Sequence, residues 1–262
     1  MNGPTSRPAT QWIFGLHAVA AVLRGAKGDV VRLLAREGRE DQRVREVIAL
    51  AAVAGVTVER CGLRRFEQLL GDVAHQGVAL EQRVAPERDE SELYDLIAAM
   101  TAPALLLVLD EVTDPRNFGA LLRVADGAGV HAVVTTRRRS APMSALVHKS
   151  AAGAAGSVPV YRVTNLARVL ARLKTAGVWI VGLADQAAPR WLDADLRVPC
   201  ALVVGAEDVG LRRLTRECCD ALISIPMQGA ASSLNVSVAA GVALYEAWRQ
   251  RHGAGGTGVT IE

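Results

Sequence analysis

The sequence predicts an α/β protein whose larger part is a mostly parallel sheet flanked by helices, preceded by a smaller α/β block. Three observations carry this. Short apolar runs alternate with amphipathic stretches of helical period along most of the 262 residues. One run, ALLLVLDEV at 104–112, is apolar without alternation, as a strand buried on both faces requires. A charged, proline-containing stretch, VAPERDESE at 84–92, separates two such blocks and reads as a linker.

Taken in order, residues 1–10 are polar and proline-containing and are expected to be disordered. Trp12 to Leu23 suits a helix, VVRLLA at 30–35 a strand, and Asp41 to Ala54 an amphipathic helix. A strand follows at VTVER (56–60), a helix at Leu63 to Leu70, and a strand of alternating polarity at HQGVALEQR (75–83). After the linker a helix is expected at 91–100. The second block then opens on 104–112 and continues with strands at 131–135, 158–161, 178–183, 200–204 and 222–225. Helices fit between them at 117–129, 165–176 and 211–219, with a long one from 233 to 251. The domain boundaries that follow are 11–83, a linker with a short helix at 84–99, 100–252, and a Gly-rich tail at 253–262.

Half the residues are hydrophobic and only 4% aromatic, so Ala, Val, Leu and Gly must fill the core. The net charge of +3 is too small to demand a polyanionic partner. The kind of cation says more: of 30 basic residues only Lys27, Lys149 and Lys174 are lysines. Arginine suits bidentate phosphate and base contacts, although a GC-rich genome produces the same bias. Cys61, Cys200, Cys218 and Cys219 show no C-x-x-C spacing and read as reduced thiols. No secretory signal core is evident and no apolar run reaches the ~18 residues of a membrane span. A soluble, cytoplasmic protein with no membrane partner is expected.

Three segments of the second block stand at strand-to-helix junctions, where open α/β sheets bind ligands. The first, 109–129, holds Asn117, Gly119 and Arg123. Asp114-Pro115 makes a turn, Asn117 can cap the helix, and Arg123, about 1.7 turns on, lies on another face. The second, LVVGAEDVGL at 202–211, holds Gly205, Glu207 and Gly210, whose glycines let a ligand approach the backbone. The third, 223–251, places Ile225, Pro226 and Met227 before a small-residue loop, then Ser232, Ser233, Leu234 and Asn235 at a helix start. Each has an ordinary alternative: a capped helix, a strand-end turn with a solvated Glu, and N-capping by Ser.

In order and spacing, these segments resemble the three signature motifs of the SpoU/TrmH family of RNA ribose methyltransferases, in the SPOUT superfamily. The match is N-x-G-x-x-x-R at 117–123, G-x-E-x-x-G at 205–210, and IPM with SLNVSVA at 225–227 and 233–239. IFGLHAVAAVL at 13–23 and AHQGVAL at 74–80 resemble the ribosomal-protein-like RNA-binding domain of members that methylate a guanosine in the peptidyl-transferase region of 23S rRNA. The resemblance implies a trefoil-knotted catalytic domain, a homodimer, and S-adenosylmethionine as methyl donor, with no metal. It implies cofactor contacts near Leu183, Ala184, Gly205, Ile225, Met227 and Leu234. It makes Arg123 the catalytic residue, with Asn117, Glu207, Ser233 and Asn235 shaping the site and Glu207 orienting Arg123 or the ribose. The last helix, 236–248, is the candidate dimer face.

A guanidinium is almost never neutral, so Arg123 is expected to pair with RNA phosphate and stabilise the 2′-oxygen rather than act as a base. Arg137, Arg138 and Arg139, with His148 and Lys149, read either as an RNA-phosphate contact or as a solvated loop, and so do Arg64 and Arg65. Rival readings are the same chemistry on a tRNA ribose or on the GTPase-centre adenosine of 23S rRNA, and a non-catalytic ribosome-assembly factor. A nucleotide-dependent oxidoreductase is disfavoured because no G-x-G-x-x-G follows a first strand.

Overall fold

The computed structural model describes residues 10–25, 30–39, 41–71, 75–83, 87–185 and 191–253. They fall into two compact units: residues up to 86 together with Met143–Ser157, and Glu87–Pro142 together with the chain from Val158 onward.

The first unit is a four-stranded sheet ordered β1-β4-β2-β3, formed by β1 (Thr10–Phe14), β2 (Val30–Arg36), β3 (Val58–Cys61) and β4 (Val78–Arg83). β4 lies antiparallel between β1 and β2, and β3 runs parallel to β2. The helices are α1 (Leu16–Gly25), α2 (Gln42–Val53) and α3 (Leu63–Leu70). α2 begins where Asp41 accepts from the Val44 amide, a cap of the expected kind. α1 packs with α2 over Ile13, Val19, Leu33, Val44, Val47 and Leu80.

The stretch expected as one helix, Trp12 to Leu23, is a strand and a helix joined at Gly15, whose φ is +92°. Periodicity cannot see the cause, which is tertiary: Trp12, Ile13 and Phe14 pair with Glu81, Leu80 and Ala79 of β4. The expected strand at 75–83 starts only at Val78. His75-Gln76-Gly77 forms a turn in which the Gln76 side-chain carbonyl accepts from the Leu16 amide (3.0 Å) and the His75 ring stacks on Phe66 (4.5 Å between centroids). α6 (Ala145–Ala151), which was not expected, belongs to this unit. It is capped by Ser144, and Gln11 of β1 meets the His148 ring at 3.1 Å.

The second unit is a six-stranded, wholly parallel sheet ordered β10-β8-β9-β5-β6-β7. Its strands are β5 (Leu105–Asp110), β6 (Ala132–Thr136), β7 (Val160–Val163), β8 (Trp179–Leu183), β9 (Cys200–Gly205) and β10 (Ala221–Ile223). All six residues of β5 are buried, as the unalternating run required. Leu106 and Val108 join the cluster under α4 (Glu90–Ala99) and α7 (Leu166–Thr175). Leu105, Leu107 and Leu109 have the opposite parity and point to the other face. There α5 (Pro115–Gly127) and α9 (Val236–His252) pack together, with α9 against β9. α8 (Arg213–Cys218) packs on α7.

Two expected caps move. The N-cap of α5 is Asp114, which accepts from the Arg116 amide at 2.7 Å; Pro115 takes the first helical position, leaving Asn117 inside the first turn. The cap of α9 is Asn235 rather than Ser233, so Ser232 and Ser233 stay in the preceding loop. At the far end of α9, Arg251 donates to the carbonyls of Pro103, Ala104, Leu196 and Val198, joining the last helix to the starts of β5 and β9. The expected disorder of residues 1–9 and the tail beyond Gly253 lie outside the described residues, as do 84–86 of the linker. Among the described residues no helix is long and apolar enough to cross a membrane.

Burial holds His75, His131 and His148 below the ordinary imidazole value of 6.5. The unfolded chain therefore binds protons that the folded one refuses. Their contribution is intact above pH 6.5 and is lost as pH falls through it. Urea midpoints measured from pH 7.5 to 5 should fall with pH, and the fall should be shallower in His148→Gln.

Candidate active site at the carboxyl ends of the sheet

The loops that leave β8, β9 and β10 close around a cavity of about 640 Å³. Residues 183–185 contribute one wall, 204–211 a second, and 223–236 the third. The lining is mostly Gly, Ala, Ser and small aliphatics, so much of what a ligand meets there is backbone.

β9 ends in Gly205, and the chain then doubles back. The Gly210 amide donates to the Ala206 carbonyl (2.8 Å), with Gly210 at φ +67°. A Cβ on residue 205 would stand 2.0 Å from the Gly210 carbonyl carbon and 2.4 Å from the Leu211 nitrogen. This glycine, expected to admit a ligand, lines the cavity and also makes room for the chain's own backbone. Just beyond, Arg212 is fixed by Asp110, a fully buried carboxylate that accepts from both its amide (2.9 Å) and its Nε (2.8 Å). Asp110 went unnoticed in the sequence, although a charge ending a run of five apolar residues is a readable signal.

The doubled-back loop presents Glu207. Its Oε1 accepts from the side-chain amides of Asn117 and Asn235 (3.0 Å for Asn235), and the Asn235 Nδ2 also donates to the Asn117 Oδ1 (3.1 Å). The Asn235 Oδ1 accepts from the Ser237 amide and hydroxyl, which seats the start of α9. All three motif segments thus meet in one hydrogen-bonded cluster. Solvent reaches it, so each bond contributes only about 1 kcal/mol to stability, and its chief effect is to fix the three segments' relative positions.

Of the residues expected in the site, Leu183, Ala184, Gly205, Glu207, Ile225, Met227, Ser233 and Leu234 line the cavity, and Asn117 and Asn235 join it through Glu207. Arg123 does not. It is exposed on α5, forms no ion pair among the described residues, and is not held by Glu207, which leaves the ribose as the expected alternative for that carboxylate. Helix geometry gives the reason: six residues turn about 600°, which carries Arg123 well away from the side of Asn117. Asp185 and Arg216 line the cavity without having been expected. Arg137 turns away toward the Arg162 carbonyl and Glu87. His148 is buried in the first unit, while Lys149 is exposed there.

An open parallel sheet whose strand-end loops enclose a backbone-lined cavity, preceded by a separate α/β unit, defines a two-part ligand-binding α/β protein. Residues 104–245 match the SpoU rRNA methylase family, and residues 12–86 match the substrate-binding domain of RNA 2′-O ribose methyltransferases. The chain belongs to the SpoU rRNA methylase family. It is 48% identical to the 23S rRNA (guanosine-2′-O-)-methyltransferase RlmB of Nitrosomonas europaea, covering 96% of each chain. It is 46% identical to RlmB of Escherichia coli K12, covering 92% of this chain and 99% of that one. Among solved structures, the AdoMet complex of the SpoU methyltransferase AviRb from Streptomyces viridochromogenes superposes with a TM-score of 0.75, at 25% identity over 92% of this chain and 90% of that one.

Gly205→Ala should destabilise the protein by about 1–3 kcal/mol and weaken ligand binding in the cavity, because the obstructing atoms are backbone. Gly210→Ala meets open space and pays only for its left-handed φ, about 1–2 kcal/mol. Urea unfolding of both variants checks the order.

Proposed function

We propose that the chain methylates the ribose 2′-oxygen of a guanosine in the peptidyl-transferase region of 23S rRNA, with S-adenosylmethionine as donor, in the cytoplasm. The observation that carries this reading is the Asn117–Glu207–Asn235 cluster at the edge of the backbone-lined cavity. Three segments far apart in sequence converge there, and the named relatives at 46–48% identity are 23S rRNA guanosine-2′-O-methyltransferases.

The cavity fits the donor. Its volume lies within the ~300–1,000 Å³ of small-molecule sites. Its small residues let a nucleoside reach main-chain amides, and its charged groups, Asp185, Glu207, Asp208 and Arg216, suit a ligand carrying both signs. When bound, S-adenosylmethionine supplies a methyl group already activated by the sulfonium charge. Leu183, Ala184, Gly205, Ile225, Met227 and Leu234 would hold it, and Ser233 would bound the substrate side.

The protein's remaining task is the 2′-oxygen. Arg123, permanently cationic and without an ion pair among the described residues, would bind the adjacent RNA phosphate and stabilise negative charge on that oxygen. A phosphate oxygen or water is left to take the proton. Because Arg123 stands apart from the cluster, completing the site calls for a second copy of the chain. A homodimer through α5 and α9 is supported by Val238 and Tyr245, exposed apolar side chains on α9. A knotted C-terminal segment is the reading that membership of the SpoU family supports.

The test supplies methyl-labelled S-adenosylmethionine with unmodified 23S rRNA or bulk tRNA and maps the label to single nucleotides. Arg123→Ala should lower transfer about 100-fold or more while donor binding stays within about twofold. A wild-type rate in Arg123→Ala would remove that residue from the mechanism. A rate in Arg123→Lys that climbs with pH while wild type stays flat would instead make the residue a base and overturn its electrostatic role. Label in tRNA or at the GTPase-centre adenosine would move the substrate. Donor binding without transfer to either RNA would point to a precursor particle as substrate or to an assembly factor.

A further inference from the structure

One strand over from the cofactor cavity, at the carboxyl ends of β5, β6 and β7, lies a second cavity of about 530 Å³. Arg138, Arg139, Arg212 and Arg213 line it, against a single carboxylate, Glu111. Glu111 is already engaged by Arg212 (2.7 Å) and Arg139 (3.5 Å). Arg138 forms no ion pair among the described residues, and Arg213 has only an exposed pairing with Glu217 on its own helix. Net positive charge therefore faces the cavity.

The cations are held in place by groups beneath them. Arg162, only 3% exposed, donates to the carbonyls at both ends of the 136–141 loop, Thr136 (3.4 Å) and Ala141 (2.5 Å). The Thr136 hydroxyl donates to the Arg138 carbonyl (2.6 Å) and meets the Ser140 hydroxyl (2.7 Å). Asp110 fixes Arg212 from below. Glu111 and Arg139, two of the four non-glycine residues with positive φ among those described, both line this cavity. Strained backbone over buried ions is unfavourable unless the surrounding structure enforces it, and such strain gathers at binding sites. A solvated arginine loop would need none of this.

We propose that this cavity is a phosphate subsite for the RNA strand flanking the target nucleotide, an inference that rests on the function proposed above. A phosphodiester offers the oxygen pairs that guanidinium groups bind bidentately. Two of the segments that build the cavity also build the cluster: Glu111 precedes Asn117 by six residues, and Arg212 follows Glu207 by five. Arg137, turned toward Glu87, takes no part.

The test measures binding of a 23S rRNA fragment spanning the peptidyl-transferase region at several salt concentrations. Wild type is compared with Arg138→Ala/Arg213→Ala and Arg138→Lys/Arg213→Lys, with donor affinity measured by calorimetry. The alanine pair should weaken RNA binding about tenfold and reduce the log–log salt slope by about 1.4, or about 0.7 for each of two single-strand phosphates no longer neutralised. Donor affinity should not change, and the lysine pair should keep most of the slope. Wild-type affinity and slope in the alanine pair overturn the subsite alone. So does a parallel loss of donor affinity, which marks a structural role. A wild-type protein that binds no rRNA overturns the proposed function, and the subsite with it.

Discussion

The backbone of Gly210 and Leu211 occupies the space where residue 205 would carry a Cβ, and the site is arranged around that close approach. With the loop pressed onto the end of its own strand, Glu207 is thrown outward to where the first turn of α5 and the cap of α9 can both reach it. Asp110 secures the same loop from the other side. Its position is set by the buried β5 strand, and both its oxygens accept from Arg212, so one carboxylate transmits the order of the sheet to the loop. The packed strands supply the rigidity that the exposed cluster lacks by itself.

This division suits the chemistry proposed. A donor whose methyl is already electrophilic asks little of side chains, and the cavity is accordingly walled by small residues and main chain. RNA asks for cations, and apart from Arg216 they stand outside that cavity, on α5 and around the arginine-lined cleft. Separating the two leaves the donor cavity with three carboxylates to one guanidinium, which suits a ligand that carries positive charge of its own.

Much of this could be read from the sequence. A mostly parallel sheet was legible in the strand and helix alternation and in β5, whose lack of alternation leaves no face for water, and the three motifs marked which loops would meet. What escaped was set by partners distant in sequence. Trp12 to Phe14 have acceptable helical spacing, and only pairing with β4 makes them a strand. Asn117 is an excellent cap by residue type, but Asp114 with Pro115 takes that place and frees Asn117 for Glu207. Helix α6 is short and weakly patterned, and its place beside β1 depends on a residue 137 positions away, Gln11. Arg162 reads as an ordinary strand residue until the loop it braces is seen folded over it.

The four carbonyls gathered by Arg251 bear on the order in which the protein is made. Synthesis runs from the amino end, so β5 and β9 leave the ribosome long before the guanidinium that ties their beginnings together. The first unit waits as well, since its sheet is complete by Arg83 but its last helix comes only with residues 145–151. Each unit thus begins folding around an unfilled place. Until the closing residues emerge, the nascent chain exposes carbonyls and apolar surface that the finished fold covers, which favours misassembly.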